Sequence, residues 1–372
     1  MRNDYDEDDD NLDYDFDEDE LIAEILAMEG VVPQEDHEDE DDESFDESDL
    51  LSTLPQQPSI EEVISILEAE DVTNFSHATI VYGLSNISHS QIEKLDETWN
   101  KIHITKKHAI LKNLVENQEN DFHLNYNTFA TYNLTDNNPQ IRQTAIELLW
   151  EDNSLSLMEK LIDLALNDTN RFVRASASSA LGRFILLGEL NQLPELDSIK
   201  VLEAVLYIWQ NDKEDIEVRK RALESLSNSS HPTVNSAIES AYNSGNVELE
   251  TSALYAMGRS ADMRWENIIL EELTSDDNSK RYEAARSAGE LGLVSAVQRL
   301  AETILEDDPE LTNMAIWSLG EIGGKTATRV LEMLMEQAEA IDDKAMIETI
   351  EDALGNAMLA SELDDLDLLE ED

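Results

Sequence analysis

Tyr255, Arg259, Asp262, Arg264 and Trp265 fall in one short stretch of the sequence, and Arg183 holds the place of Arg259 in an earlier copy of an internal repeat. Guanidinium groups bind carboxylates through paired N–H donors and stack on aromatic faces, so two extra cations beside an aromatic pair suit a carboxylate-bearing or planar ligand. A turn held by an Arg–Asp ion pair and a packed Trp would use the same residues. That simpler reading is the favoured one, and the group stands as the candidate partner-binding site. Arg142 and Arg174 each follow an aspartate, Asp136 and Asp168, by six residues. This pattern suits ion pairs between neighbouring repeats better than a basic binding stripe.

Other chemistry finds little support. The chain has no cysteine, so disulfides, thiolate metal sites and cysteine nucleophiles are excluded. Its histidines, His37, His77, His89, His103, His108, His123 and His231, occur singly, and no Ser/His/Asp or glycine-rich phosphate constellation stands out. Asp13, Asp15, Asp17, Asp19 and Glu24 imitate a calcium loop, but Glu18 stands where a glycine must turn the chain. Solvated charge with weak cation condensation is the expectation there. No catalytic, cofactor-binding or metal-binding residues are expected, nor a cofactor, and the chain reads as a non-enzyme.

The elements that must position these residues are repeated. IRQTAIELLW, VRASASSALG, VRKRALESLS, LETSALYAMG, RYEAARSAGE, LTNMAIWSLG and MIETIEDALG are copies of one segment. Its small-residue slot falls at Ala145, Ala177, Ala222, Ala253, Ala285 and Ala315, with spacings of 32, 45, 31, 32 and 30 residues, and Ile350 fills it in the last copy. A period of this size is a helix, a turn and a second helix. Ile141, Val173, Val218, Leu249 and Leu311 lie four residues before the slot, on the same helix face. The small residues allow close helix approach. Second helices are expected at SLMEKLIDLAL, DSIKVLEAVLYIW, PTVNSAIESAY, WENIILEEL, VSAVQRLAETIL and TATRVLEMLMEQA. The long spacing of 45 implies an insertion near residues 186–196. Trp99, Trp150, Trp209 and Trp317 sit at helical core spacing.

PQIRQTAIELLW and VRASASSALGRF resemble HEAT repeats of the short, phycobilisome-lyase-like form. NVELETSALYAMGRSADMRW followed by RYEAARSAGELG is similar to an uncharacterised bacterial HEAT-repeat family. The resemblance covers roughly residues 75 to 357 and implies an all-α superhelix, a HEAT/armadillo-like solenoid. It also brings enzyme classes to weigh, a phycobilin-lyase-like accessory enzyme and a HEAT-like oxidoreductase such as the di-iron deoxyhypusine hydroxylases. The latter carry His-Glu pairs six and seven residues ahead of the repeat glycine. The corresponding pairs here are Gln143 and Thr144, Ala175 and Ser176, Lys220 and Arg221, Thr251 and Ser252, Glu283 and Ala284, Asn313 and Met314, and Glu348 and Thr349. None matches that iron-binding pattern. The sole His-Glu dipeptide, His37 with Glu38, falls outside the repeats.

Charge sets the expected partner. The chain has 84 acidic against 25 basic residues and a net charge of -59. Such a field repels nucleic acid and anionic membranes and favours a basic protein. Residues 1–58 hold 25 acids and one base, too little apolar content for a core, and read as a disordered acidic tail. Within it Leu21, Ile22, Ile25, Leu26 and Met28 space as a short amphipathic helix near 20–29. Ordered structure is expected from Ser59, an N-cap with Glu62 three residues on. Divergent capping repeats should occupy 59–136, the regular solenoid 137–360, and an acidic tail 361–372. No signal segment or membrane span is apparent, so a cytoplasmic monomer is expected, acting as a scaffold that binds a basic protein partner. A polyanionic chaperone or nucleic-acid mimic for basic proteins is the further alternative.

Overall fold

A computed structural model describes residues 57–69, 78–304 and 308–370. The chain divides into two units, Met1–Gln56 and Gln57–Asp372. The first lies outside the described residues, and so do the tail helix at Leu21 to Met28, His37 and His77.

All described secondary structure is helical. The order is α1 (Ile60–Glu68), α2 (Ala78–Leu84), α3 (His89–Lys101), α4 (Ile104–Asn120), α5 (Asn127–Asn133), α6 (Pro139–Leu148), α7 (Leu155–Asn167), α8 (Arg171–Ala180), α9 (Gly182–Glu189) and α10 (Glu195–Gln210). It continues through α11 (Ile216–Leu226), α12 (Pro232–Tyr242), α13 (Val247–Arg259), α14 (Glu266–Glu272), α15 (Asn278–Glu290), α16 (Val297–Thr303), α17 (Pro309–Ile322), α18 (Gly324–Ile341) and α19 (Lys344–Glu370). Single 3-10 turns, Met263–Trp265 and Val294–Ala296, lead into α14 and α16. No helix among the described residues is long and apolar enough to cross a membrane.

The helix starts follow local chemistry. Ser59 and Glu62 cap α1 reciprocally, the Ser59 amide donating to Glu62 Oε2 at 2.7 Å and the Glu62 amide to Ser59 Oγ at 3.3 Å. Asn138, Asn170, Asp215, Asn246, Asp277 and Asp308 precede the first helices of successive repeats, and each side chain accepts from a backbone N–H two or three residues on. Each such cap contributes about 1 kcal/mol.

The chain is an all-α solenoid of two helix layers. Helices α4, α6, α8, α11, α13, α15, α17 and α19 stack directly on one another, while successive helices of the other layer touch far less. We call this closely stacked side the inner layer. The small-residue slot builds it: Ala145, Ala177, Ala222, Ala253, Ala285, Ala315 and Ile350 are all fully buried. Serines add a second contact. Ser225 Oγ donates to the Ser178 carbonyl at 2.8 Å, Ser287 Oγ to Leu254 at 2.7 Å, and Ser318 Oγ to Ala285 at 2.8 Å, each reaching the preceding inner helix.

Two sequence expectations need revision. The insertion begins at Gly182, ahead of 186–196, because Leu181 keeps right-handed helical dihedrals and the inner helix continues into α9, burying Phe184 and Ile185. Trp150, expected in the core, is 47% exposed. It lies beyond the end of α6, where the helical period no longer sets side-chain direction. Trp317 is partly exposed, whereas Trp99 and Trp209 are buried as expected. The helix α19 also runs on into the acidic C-terminal segment as far as Glu370.

Candidate protein-interaction groove

A ladder of ion pairs ties the early repeats together. Lys107 on α4 pairs with Asp136 at 2.7 Å, Arg142 on α6 with Asp168 at 2.7 Å, and Arg174 on α8 with Glu214 at 2.7 Å. The two arginines bind their carboxylates through both Nε and Nη2. Each also donates from Nη1 to the backbone carbonyl six residues before it, Asp136 and Asp168, at 2.8 Å. One guanidinium thus closes its own turn and grips the next repeat, which is the inter-repeat role expected of Arg142 and Arg174. Arg281 donates to the Ser275 carbonyl in the same register.

The candidate group divides in two. Trp265 turns inward and is 3% exposed, so it belongs to the core. Arg264 pairs with Asp262 at 2.7 Å, and Asp262 caps the 3-10 turn by accepting from the Arg264 amide. These three form the ion-paired turn of the simpler reading. Tyr255, Arg259 and Arg183 lie elsewhere, lining a cavity of about 410 Å3 on the inner layer. The structure separates Tyr255 from Trp265, so no aromatic pair exists.

That cavity adjoins a larger one of about 750 Å3, and Ser179, Arg183 and Arg221 line both. Together they form a groove across inner helices α4 to α15. Its floor toward α6 and α8 is partly apolar, with Trp150 47% and Phe172 46% exposed. The core spacing assigned to Trp150 hid it as a site residue, and no local sequence signal singles out Phe172. Toward α15 the lining is ionic. Arg221 pairs with Glu217 at 3.0 Å and Glu224 at 2.8 Å, and Ser252 donates to Glu224 at 2.9 Å. Arg286 pairs with Glu290 at 3.1 Å and lies 4.5 Å over the Tyr255 ring.

Two groups in the groove are not fully satisfied. Arg183 donates to the Trp150 and Asp152 carbonyls at 3.0 and 2.9 Å, leaving its buried Nε–H without an acceptor. Burial pushes this guanidinium down to about 10, with the Asp152 carboxylate acting in the opposite direction. Glu283 Oε2 is also buried and unpaired. Burial raises this carboxyl to about 7; Arg286 and Arg221 lower it, while Glu224 and Glu290 add to the rise. Among the described residues no group of three or more His, Asp or Glu side chains is placed to hold a metal ion.

Residues 266–351 match the family model for HEAT repeats. No curated protein matches the chain. Among solved structures, E. coli YibA is 16% identical with a TM-score of 0.43, the match covering 74% of this chain and 95% of that one. The complex of CpcE and CpcF of phycocyanin lyase from Nostoc is 18% identical with a TM-score of 0.41, covering 62% and 94%. Human deoxyhypusine hydroxylase is 16% identical with a TM-score of 0.31, covering 72% and 96%. The matched segment, α14 to the first turns of α19, consists of HEAT repeats, and the same helix pairing recurs ahead of it among the described residues.

Proposed function

We propose that the chain is a non-enzymatic scaffold that binds a basic protein partner along its inner groove. The observation that carries this is the pair Trp150 and Phe172, two large aromatic side chains held about half exposed, one just past the end of α6 and the other on α8, lining a cavity of about 750 Å3. Aromatic anchors of this kind dominate binding energy at protein interfaces, because they exclude much water for little lost side-chain freedom. The net charge of -59 supplies the second half of the reading: it steers cationic surfaces toward the chain and turns polyanions away.

Cross-linking in the source cell identifies the partner and the face it occupies. Cross-links should fall on the inner layer, and Trp150→Ala with Phe172→Ala should weaken binding by about 2 kcal/mol or more while the unfolding midpoint stays within a degree or two. Cross-links confined to the opposite layer, or unaltered affinity in the double variant, would reject the reading.

A further inference from the structure

Rings in this fold recurrently carry a cation of the chain itself. Lys107 lies 5.4 Å from the Trp99 ring, Arg219 4.8 Å from Trp209, Arg264 5.8 Å from Trp265 and Arg171 4.6 Å from Phe172. Trp150, the most exposed tryptophan among the described residues, has none. What surrounds it is acidic. Glu147 precedes it by three residues, the Trp150 amide donating to the Glu147 carbonyl at 3.1 Å, and Glu151 and Asp152 follow directly. Glu119 joins them from α4, because Gln118 Nε2 donates to Glu151 Oε2 at 3.5 Å and so lays the end of that helix beside the turn. Glu119 and Glu147 line the larger cavity with Trp150, are exposed, and have no ion-pair partner among the described residues. The closing carbonyls of α6 add partial negative charge. Cations are fewer. Arg183 reaches the same turn but directs Nη1 and Nη2 to the Trp150 and Asp152 carbonyls. Lys112 lines the cavity about two turns before Glu119 on α4, with His108 about one turn further back, and Arg221 on α11 is held by Glu217 and Glu224.

We propose that Trp150, flanked by Glu119 and Glu147, seats one basic side chain of the partner, its cation lying against the indole. The assignment rests on the inner-groove reading above and deepens it by naming the group that meets Trp150. An apolar side chain would also cover the ring, but it would draw the neighbouring carboxylates out of water with nothing to pair them. A cation satisfies both, since the ring quadrupole attracts it and the carboxylates neutralise it. Arginine suits the seat better than lysine: its planar, weakly hydrated guanidinium stacks on an aromatic face while its N–H groups still reach carboxylates at the edge. Phe172 already has Arg171 over its ring, which leaves that end of the cavity to an apolar residue of the partner.

The test uses the full chain and two acetylated, amidated peptides, Gly-Leu-Arg-Leu-Gly and the same sequence with citrulline in place of arginine. Citrulline keeps the length and planarity of arginine and loses the charge. Binding is followed on the tryptophan indole N–H signals by 15N NMR, the Trp150 signal being identified by its loss in Trp150→Phe. The arginine peptide should move that signal and bind about fivefold tighter than the citrulline peptide. Trp150→Leu keeps an apolar surface and the charge of the chain, and should remove the preference for arginine. Glu119→Gln with Glu147→Gln should reduce it; both residues are exposed, so this variant should retain the fold. Equal binding of the two peptides, or a preference undiminished in Trp150→Leu, would overturn the seat, the second outcome assigning the preference to the acidity of the whole chain. The groove reading fails separately, when Trp150→Ala with Phe172→Ala leaves capture of the natural partner unaltered.

Discussion

A methyl group added at Gly258 would lie 2.8 Å from Ser287 Cα, on the next inner helix, while the Ser287 hydroxyl donates to the Leu254 carbonyl one turn earlier. The obstacle is backbone, so a side-chain rotation cannot relieve it. The same closeness recurs between Gly289 and Ser318 and between Gly320 and Ala353. At Gly258, Gly289 and Gly320 the glycine therefore sets the distance to the next inner helix.

Gly258→Ala should destabilise the chain by about 1–3 kcal/mol, as overpacking does elsewhere. Gly355 is the internal control: it is an exposed helix residue with nothing within 4 Å of an added methyl. Gly355→Ala should stabilise by about 0.5–1 kcal/mol through helix propensity alone. Denaturant unfolding of both variants checks the pair, and the same sign in both would contradict the packing argument.

Arg142 and Arg264 offer a second contrast. The Arg142 and Asp168 side chains are 11% and 6% exposed, while Arg264 is 51% exposed beside Asp262. Removing one member of a buried pair strands the other charge, at a cost of about 3–5 kcal/mol. Arg142→Ala should lower the unfolding midpoint strongly and Arg264→Ala hardly at all. Similar losses in thermal unfolding would mean that the ladder adds no more than a surface ion pair.

Much of this fold was legible in the sequence because the repeat period, the Asp and Asn caps and the Asp-to-Arg spacing of six are all local signals. That spacing alone pairs Arg142 with a neighbouring repeat. The groove was not legible, since its lining comes from six inner helices and no spacing within one repeat shows which side chains converge. Trp150 failed for a definable reason, its place just past the end of α6. Trp265 entered the candidate group because proximity in sequence cannot tell that a 3-10 turn directs it into the core. Glu283 gave no signal at all, because a glutamate in a helix normally faces water.

Glu283 makes stability depend on pH in a specific direction. Its folded carboxyl titrates near 7 against the ordinary value of 4.5, so the folded state holds a proton that the unfolded state has lost through this interval. Its contribution is complete below about pH 4.5 and declines as pH rises through about 7. The groups around it are Arg286 and Glu290 on its own helix, Arg221 and Glu224 on α11, and Tyr255 and Arg259 on α13. Glu283→Gln keeps the shape without the charge. The stability of this variant relative to the parent should rise by ~2 kcal/mol between pH 5 and pH 8. A difference independent of pH would show that Glu283 ionises normally.

The last prediction concerns the acidic segment. Residues 1–58 carry 25 acids and one base, a charge density that draws a cation atmosphere around that stretch. A Lys/Arg-rich partner that displaces those cations gains their mixing entropy, as basic proteins do on nucleic acid with the signs exchanged. Affinity should therefore fall steeply with salt through the physiological range, where the screening length is about 8 Å. Deleting residues 1–58 should flatten that slope and slow association, because long-range steering is lost while contacts in the groove persist. Trp150→Ala should do the opposite, speeding dissociation and leaving the salt slope unaltered. DNA should compete for the partner without binding this chain. Association and dissociation rates at three salt concentrations, for the parent, the truncated chain and Trp150→Ala, separate the two effects. Equal slopes for parent and truncated chain would make the acidic segment a bystander, and direct binding of DNA would contradict the electrostatic argument at its root.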